Sequence, residues 1–295
     1  YVVLVIGIAV AIAFDMGLLG IIAVITINNV VQLLILILPA KRFTPLSLGI
    51  DWTIAREMIH RSWPIALSIV FNLLYLRTDT IILSLVQSQH VVGLYGAAYR
   101  VIDVLASLPS MFMGITLASF ARSYSNKDHE SFARYFQKSF DFIVLMALPL
   151  MVATQFLARD ALMLVSGSSF AEAGAILQVL VIGCGALFFG TLFGHLINVI
   201  HAQRTMLKAY ALTAGLCLTG YAIVIPRFSY WGAAWVTVAS EVLVALMGAY
   251  VFWRITRIRP RMESLVKAGL ASGVMALALT LLAGYPLIVT VSAAL

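Results

Sequence analysis

The chain has 295 residues, 62% of them hydrophobic and 11% charged, with a formal net charge of +7. Together with a mean hydropathy of +1.04, this composition excludes a soluble globular domain and points to an all-α, polytopic helical membrane protein. The positive charge does not imply nucleic acid, because all but two of the 19 Lys and Arg sit in short gaps between apolar runs.

A membrane span takes roughly 20 apolar residues. Seven full-length runs are predicted, at 17–38, 63–86, 91–121, 139–158, 171–200, 207–226 and 230–253. An eighth runs over 265–283, with partial runs at 1–14 and 287–295. Two partial runs at the ends are expected of a piece cut from a larger polytopic protein. Residues 1–14 do not read as a signal peptide, having neither a basic leading segment nor a small-residue cleavage site.

Alternate gaps differ in charge. Lys41, Arg42, Arg56 and Arg61 lie in 39–61, and Arg122, Lys127, Arg134 and Lys138 in 122–138. Arg204 and Lys208 follow in 201–208, then Arg254, Arg257, Arg259, Arg261 and Lys267 in 254–267. The opposite gaps hold only Arg159 and Arg227. Such asymmetry places the basic gaps on the cytoplasmic side, against anionic headgroups. Within them, Ile50 to Ile59 and His129 to Phe140 are predicted as amphipathic helices lying at the interface, anchored by Trp52 and Tyr135.

The first and seventh of these full runs and their exits suggest an internal repeat. Gly17 to Pro45 and Gly232 to Pro260 have the same spacing, and Thr26 and Glu241 occupy equivalent steps. Parallel repeats of this kind occur in transporters. Small residues (Gly93, Gly96, Gly183, Gly185, Gly190 and Gly194) are read mostly as close helix packing.

Four charges lie close together inside two consecutive predicted spans: Arg77, Asp79, Arg100 and Asp103. A charge at the bilayer centre costs about 2.5–3.5 kcal/mol on insertion scales, so these groups must pair or face water or a polar cargo. At ~1.5 Å per residue, Arg77 and Arg100 share a depth of about 13 Å. Arg100 and Asp103 share a helix face, whereas Arg77 and Asp79 diverge and each needs a partner on another helix. Glu241 sits near the same layer, with Asn28, Asn29 and Gln178 as uncharged company. The expected site is a polar cavity lined by Arg77, Arg100, Asp79, Asp103, Glu241 and Asn28. Arginine suits a phosphate headgroup because its planar fork donates paired hydrogen bonds. Interhelical ion pairs with a purely packing role are the competing explanation. His195 and Asn198 are expected to be satisfied by neighbouring helices, and Tyr75, Tyr95 and Tyr99 either line a sugar path or anchor at the interface.

Several of these stretches carry a family resemblance. Trp63-Pro64-Ile65-Ala66-Leu67 and Leu76-Arg77-Thr78-Asp79-Thr80-Ile81-Ile82-Leu83 resemble the seventh span of Wzx-type polysaccharide-unit flippases, within the multidrug/oligosaccharidyl-lipid/polysaccharide exporter superfamily. Val92-Gly93-Leu94-Tyr95-Gly96-Ala97-Ala98-Tyr99-Arg100, followed by Leu108-Pro109, is similar to the eighth. Ser166-Gly167 through Ala173 resembles the loop before the tenth, and Gly232-Ala233-Ala234 the twelfth.

The resemblance implies a protein of two six-helix lobes plus two extra helices, with this chain running from the fifth span into the fourteenth. Residues 1–38 would close the N-terminal lobe and 39–61 form a cytoplasmic linker. Residues 62–253 would form the C-terminal lobe, and 254–295 a basic segment with the extra spans. It implies a non-enzymatic, multi-pass transporter of the inner (cytoplasmic) membrane. The cargo would be an undecaprenyl-pyrophosphate-linked oligosaccharide, moved to the outer leaflet by alternating access, with Arg77 and Arg100 matching the basic cavity residues. Lipid-linked oligosaccharide, membrane lipids and other polysaccharide assembly proteins are the implied partners. No cofactor or metal is expected, and a proton or sodium gradient is the candidate driving force. Alternatives are a cation-coupled multidrug exporter, a peptidoglycan-precursor flippase, and less favoured, a membrane-embedded polymerase or acyltransferase. No large outer loop or His/carboxylate cluster supports the last.

Overall fold

The computed structural model describes residues 2–14, 16–43 and 51–281. These form α1 (Val2–Ala13), α2 (Gly17–Phe43), α3 (Trp52–Val86), α4 (Gln89–Ser125) and α5 (His129–Ser166). A 3-10 segment (Ser168–Ala173) leads into α6 (Gly174–Val199), α7 (Gln203–Thr256) and α8 (Glu263–Leu281). There is no strand among the described residues, and seven helices are long and apolar enough to cross a membrane. The chain is an all-α polytopic membrane protein. The run at 287–295 and Pro45 of the suspected repeat lie outside the described residues.

Two compact units divide within α3, between His60 and Arg61. In the first, α1 packs on α2. Most large apolar side chains of α2 are exposed, as befits a helix solvated by acyl chains. In the second unit α6 is central: α4, α5 and α7 pack on it, and α8 packs on α5.

At 54 residues, α7 would extend about 81 Å if straight, against a hydrocarbon core of roughly 30 Å. It is not straight. Ser229 has φ 52° and ψ −138°, outside any helical region, and the chain reverses there. Residue pairs matched across the break confirm the hairpin. A Cβ on Gly232 would lie 2.7 Å from Val224 Cγ1 and 2.8 Å from its carbonyl oxygen. Further along, the Tyr221 and Thr237 hydroxyls are 3.0 Å apart. Only glycine permits the first of these approaches. The two predicted runs 207–226 and 230–253 are therefore the arms of one helical hairpin.

The two predicted interfacial helices are corrected. Residues 52–59 open α3 without a break into the following span, and 129–140 are the first turns of the 38-residue α5. Asp128 caps α5, its carboxyl accepting from the Ser131 backbone N–H at 3.0 Å. That contact holds the Asp128 carboxyl below its ordinary range. Phe132, Phe136 and Phe140 on these turns are buried. Phe136 lies 4.7 Å from Phe252 and 6.3 Å from Phe193 by ring centroids. This stretch packs inside the protein; its hydrophobic face is taken by an aromatic core instead of lipid.

Candidate functional site

Along α4, positions 93, 96, 100, 103, 107, 110 and 114 recur at three- and four-residue steps and so share one face. Arg100, Asp103, Ser107 and Ser110 are all exposed there. A Cβ at Gly93, Gly96 or Gly114 would meet no atom within 4 Å. These α4 glycines therefore do not serve close packing within the described residues. Gly183 does, its Cβ position being 3.3 Å from Val238 Cα.

Arg77 of α3 reaches this face. Its Nη2 donates to both Asp103 carboxyl oxygens at 3.2 Å, with both side chains about half exposed (53% and 52%). The guanidinium also lies 5.9 Å from the Tyr99 ring centroid. An exposed pair of this kind contributes about 0–1 kcal/mol in water, so it leaves Arg77 available for a stronger anionic partner. Arg100 makes no hydrogen bond or ion pair among the described residues.

Asp79, two residues on, faces the opposite way and is fully buried. Among the described residues no arginine pairs with it. Tyr95 and Tyr99 each donate a hydroxyl to its Oδ2 at 2.7 Å. The Thr80 backbone N–H donates to Oδ1 at 2.6 Å, and Thr237 Oγ1 of α7 lies 3.3 Å from Oδ2. Of the two readings open for Asp79, a cavity lining or an ion pair with arginine, the described residues show neither: hydroxyls and a backbone N–H satisfy it. Tyr95 and Tyr99 are thereby buried supports, neither interfacial anchors nor a path lining; the Tyr75 side chain lies outside the described residues. Tyr99 joins both features, its hydroxyl on Asp79 and its ring under Arg77.

The remaining polar candidates separate. Gln178 is absorbed by packing: its Nε2 donates to the Gln155 backbone carbonyl at 2.6 Å, and its own backbone carbonyl accepts from Gln155 Nε2 at 2.8 Å, clamping α5 to α6. Asn28 is buried and Asn29 exposed, both on α2 in the other unit. Glu241 on α7 is 3% exposed, and its Oε1 has no hydrogen-bond partner among the described residues.

Glu241 borders a cavity of about 420 Å³ between α3, α4, α6 and α7. The other polar linings are Asn72, Ser110, Thr191, His195, Asn198, Gln203 and Tyr210. His195 and Asn198 thus border a cavity; among the described residues the imidazole bonds only within its own helix, from Nδ1 to the Thr191 carbonyl, 2.9 Å away. Gly190 and Gly194 also border it, with no atom nearer than 3.7 Å to either Cβ position. Arg77, Arg100 and Asp103 do not line it. The sequence carried a signal for this site that charge alone did not reveal: Thr191, His195 and Asn198 recur on one face of α6 with Gly190 and Gly194. A second cavity, about 870 Å³, lies at the basic end and shares Asn198.

A family model described as polysaccharide biosynthesis protein matches residues 1–175. The chain belongs to that family. The matched residues include Arg77, Asp79, Arg100 and Asp103, while Glu241 and His195 lie beyond them. Among solved structures, the fold is similar to that of lipid II flippase MurJ in an inward closed conformation. The TM-score is 0.77 at 13% identity over 99% of this chain. The chain spans 62% of that structure's length. No curated protein matches the chain.

Proposed function

We propose that the protein is a lipid-linked oligosaccharide flippase, working by alternating access in the cytoplasmic membrane. It would carry polyprenyl-pyrophosphate-linked units to the outer leaflet for surface polysaccharide assembly. The observation that carries this reading is the exposed arginine pair, Arg77 and Arg100, on the polar face of otherwise apolar helices. Arg77 is held by a weak, half-exposed ion pair and the Tyr99 ring, and Arg100 by no ion pair among the described residues. Two guanidinium groups at a common depth match a pyrophosphate, which arginine grips with paired donors. A drug exporter for organic cations would place acidic and aromatic groups there. Membership of the polysaccharide biosynthesis family and the flippase-like fold support the same direction. The likeness to MurJ favours a second reading in which the cargo is lipid II.

The test is the leaflet distribution of lipid-linked precursors, both oligosaccharide-linked and lipid II, in cells expressing the full-length protein. Arg77→Ala and Arg100→Ala should cause the cargo to accumulate on the cytoplasmic side at normal protein levels. Asp103→Ala should be milder, because it frees Arg77 without removing it. Normal export with both arginines absent would refute the headgroup role.

A further inference from the structure

The cavity around Glu241 has a chemistry unlike the arginine face. Glu241 is almost fully buried yet has an unpartnered carboxyl oxygen, Oε1. Leaving such a group unsatisfied in the interior is costly, and here it borders open volume instead of packed side chains. His195 uses Nδ1 on the Thr191 carbonyl. A carbonyl only accepts, so the neutral ring leaves Nε2 as a second acceptor. Asn198 adds an amide that both donates and accepts, and Tyr210 a hydroxyl.

Among the described residues no Lys or Arg lines this space, so none of them compensates a phosphate there. Among the described lining residues Tyr210 alone is aromatic, so they present no stacked rings of the kind that hold organic cations. Its volume, about 420 Å³, falls in the roughly 300–1,000 Å³ range of small-molecule sites. Neutral groups rich in hydroxyls are the chemistry that meets several acceptors and a few donors at once.

We infer that this cavity is a sugar subsite, in which Glu241 and His195 accept hydroxyl protons of a glycan residue while Arg77 and Arg100 deal with the anionic headgroup. The inference rests on the flippase reading and divides its cargo between two places.

The experiment uses the full-length protein in lipid nanodiscs. Binding is measured for farnesyl pyrophosphate and for the same molecule carrying one glucose, galactose or N-acetylglucosamine. At least one sugar should tighten binding tenfold or more. Glu241→Gln, and Thr191→Leu, which fills the cavity from α6, should abolish that gain while leaving the bare pyrophosphate within twofold. Arg77→Ala should weaken bare and glycosylated probes alike. A sugar gain that survives both cavity variants, or no gain with any of the three sugars, would overturn the subsite. Tetraphenylphosphonium binding that depends on Glu241 would overturn it in favour of a cation site. A wild-type protein that fails to bind bare farnesyl pyrophosphate would sink the flippase reading, and the subsite with it.

Discussion

Asp79→Ala removes the acceptor for two tyrosine hydroxyls, each 2.7 Å from Oδ2. Among the described residues Tyr95 then keeps at most a weak approach to Thr237, and Tyr99 a 3.5 Å approach to Thr237 Oγ1, at the limit of a hydrogen bond. At about 1–3 kcal/mol for each buried polar group left unpaired, the variant should lose about 2–6 kcal/mol. Tyr95→Phe is a gentler change. It leaves Asp79 its contacts to Tyr99 and Thr80 and should cost about 0.6–1.7 kcal/mol, the range for interhelical hydrogen bonds in membranes. The sharp expectation is a change of sign. In the Asp79→Ala background the Tyr95 hydroxyl is a liability, so adding Tyr95→Phe should restore stability. Unfolding of the four purified variants in a common detergent completes the double-mutant cycle, with a coupling expected above about 1 kcal/mol. If Tyr95→Phe costs the same in both backgrounds, the network around Asp79 does not hold α3 to α4.

Gly232→Ala should destabilise strongly, because its Cβ would fall 2.8 Å from the Val224 carbonyl oxygen; Gly96→Ala, facing open space, should leave the melting temperature unchanged. Gln155→Ala and Gln178→Ala each break one half of a reciprocal clamp. Each should cost about 0.6–1.7 kcal/mol, and the double variant less than the sum, read from the same unfolding curves. The Asp128 carboxyl is held below its ordinary value of 3.8, first by the Ser131 backbone N–H. A lowered folded-state pKa means its cap is fully present above pH ~4 and fades as pH falls through the folded value. Hydrogen exchange at the Ser131 amide should therefore show its protection lost in strong acid, and absent at neutral pH in Asp128→Ala.

Much of the fold was legible because each span is an apolar run closed by charge or by a break such as 226–230. What misled was the assumption that polarity ends a helix. Residues 52–63 and 129–140 turn polar, but neither contains a residue that stops helical hydrogen bonding, so each runs on into its span. The four intramembrane charges were visible as anomalies, and the divergence of Arg77 and Asp79 followed from helical geometry. Their partners were not readable. Asp79 is satisfied in part from Thr237, 158 residues away, and helix rotation, which no single sequence states, decides that contact. The cavity was harder still, since its linings are scattered neutral residues whose significance lies in what they do not touch.

The hairpin of α7 has a bearing on how the chain is made. Tyr221 and Thr237 are only 16 residues apart, so their hydroxyls can meet once both arms have entered the bilayer. Asp79 lies 16 and 20 residues from Tyr95 and Tyr99, so it too is served within its own pair of neighbouring helices. The bond linking the two halves spans 158 residues. Each half-network can thus shelter its polar groups from lipid while the ribosome is still extending the chain, where an unshared hydroxyl or carboxyl would be costly. The two halves meet late, already satisfied, and their union strands nothing on the way.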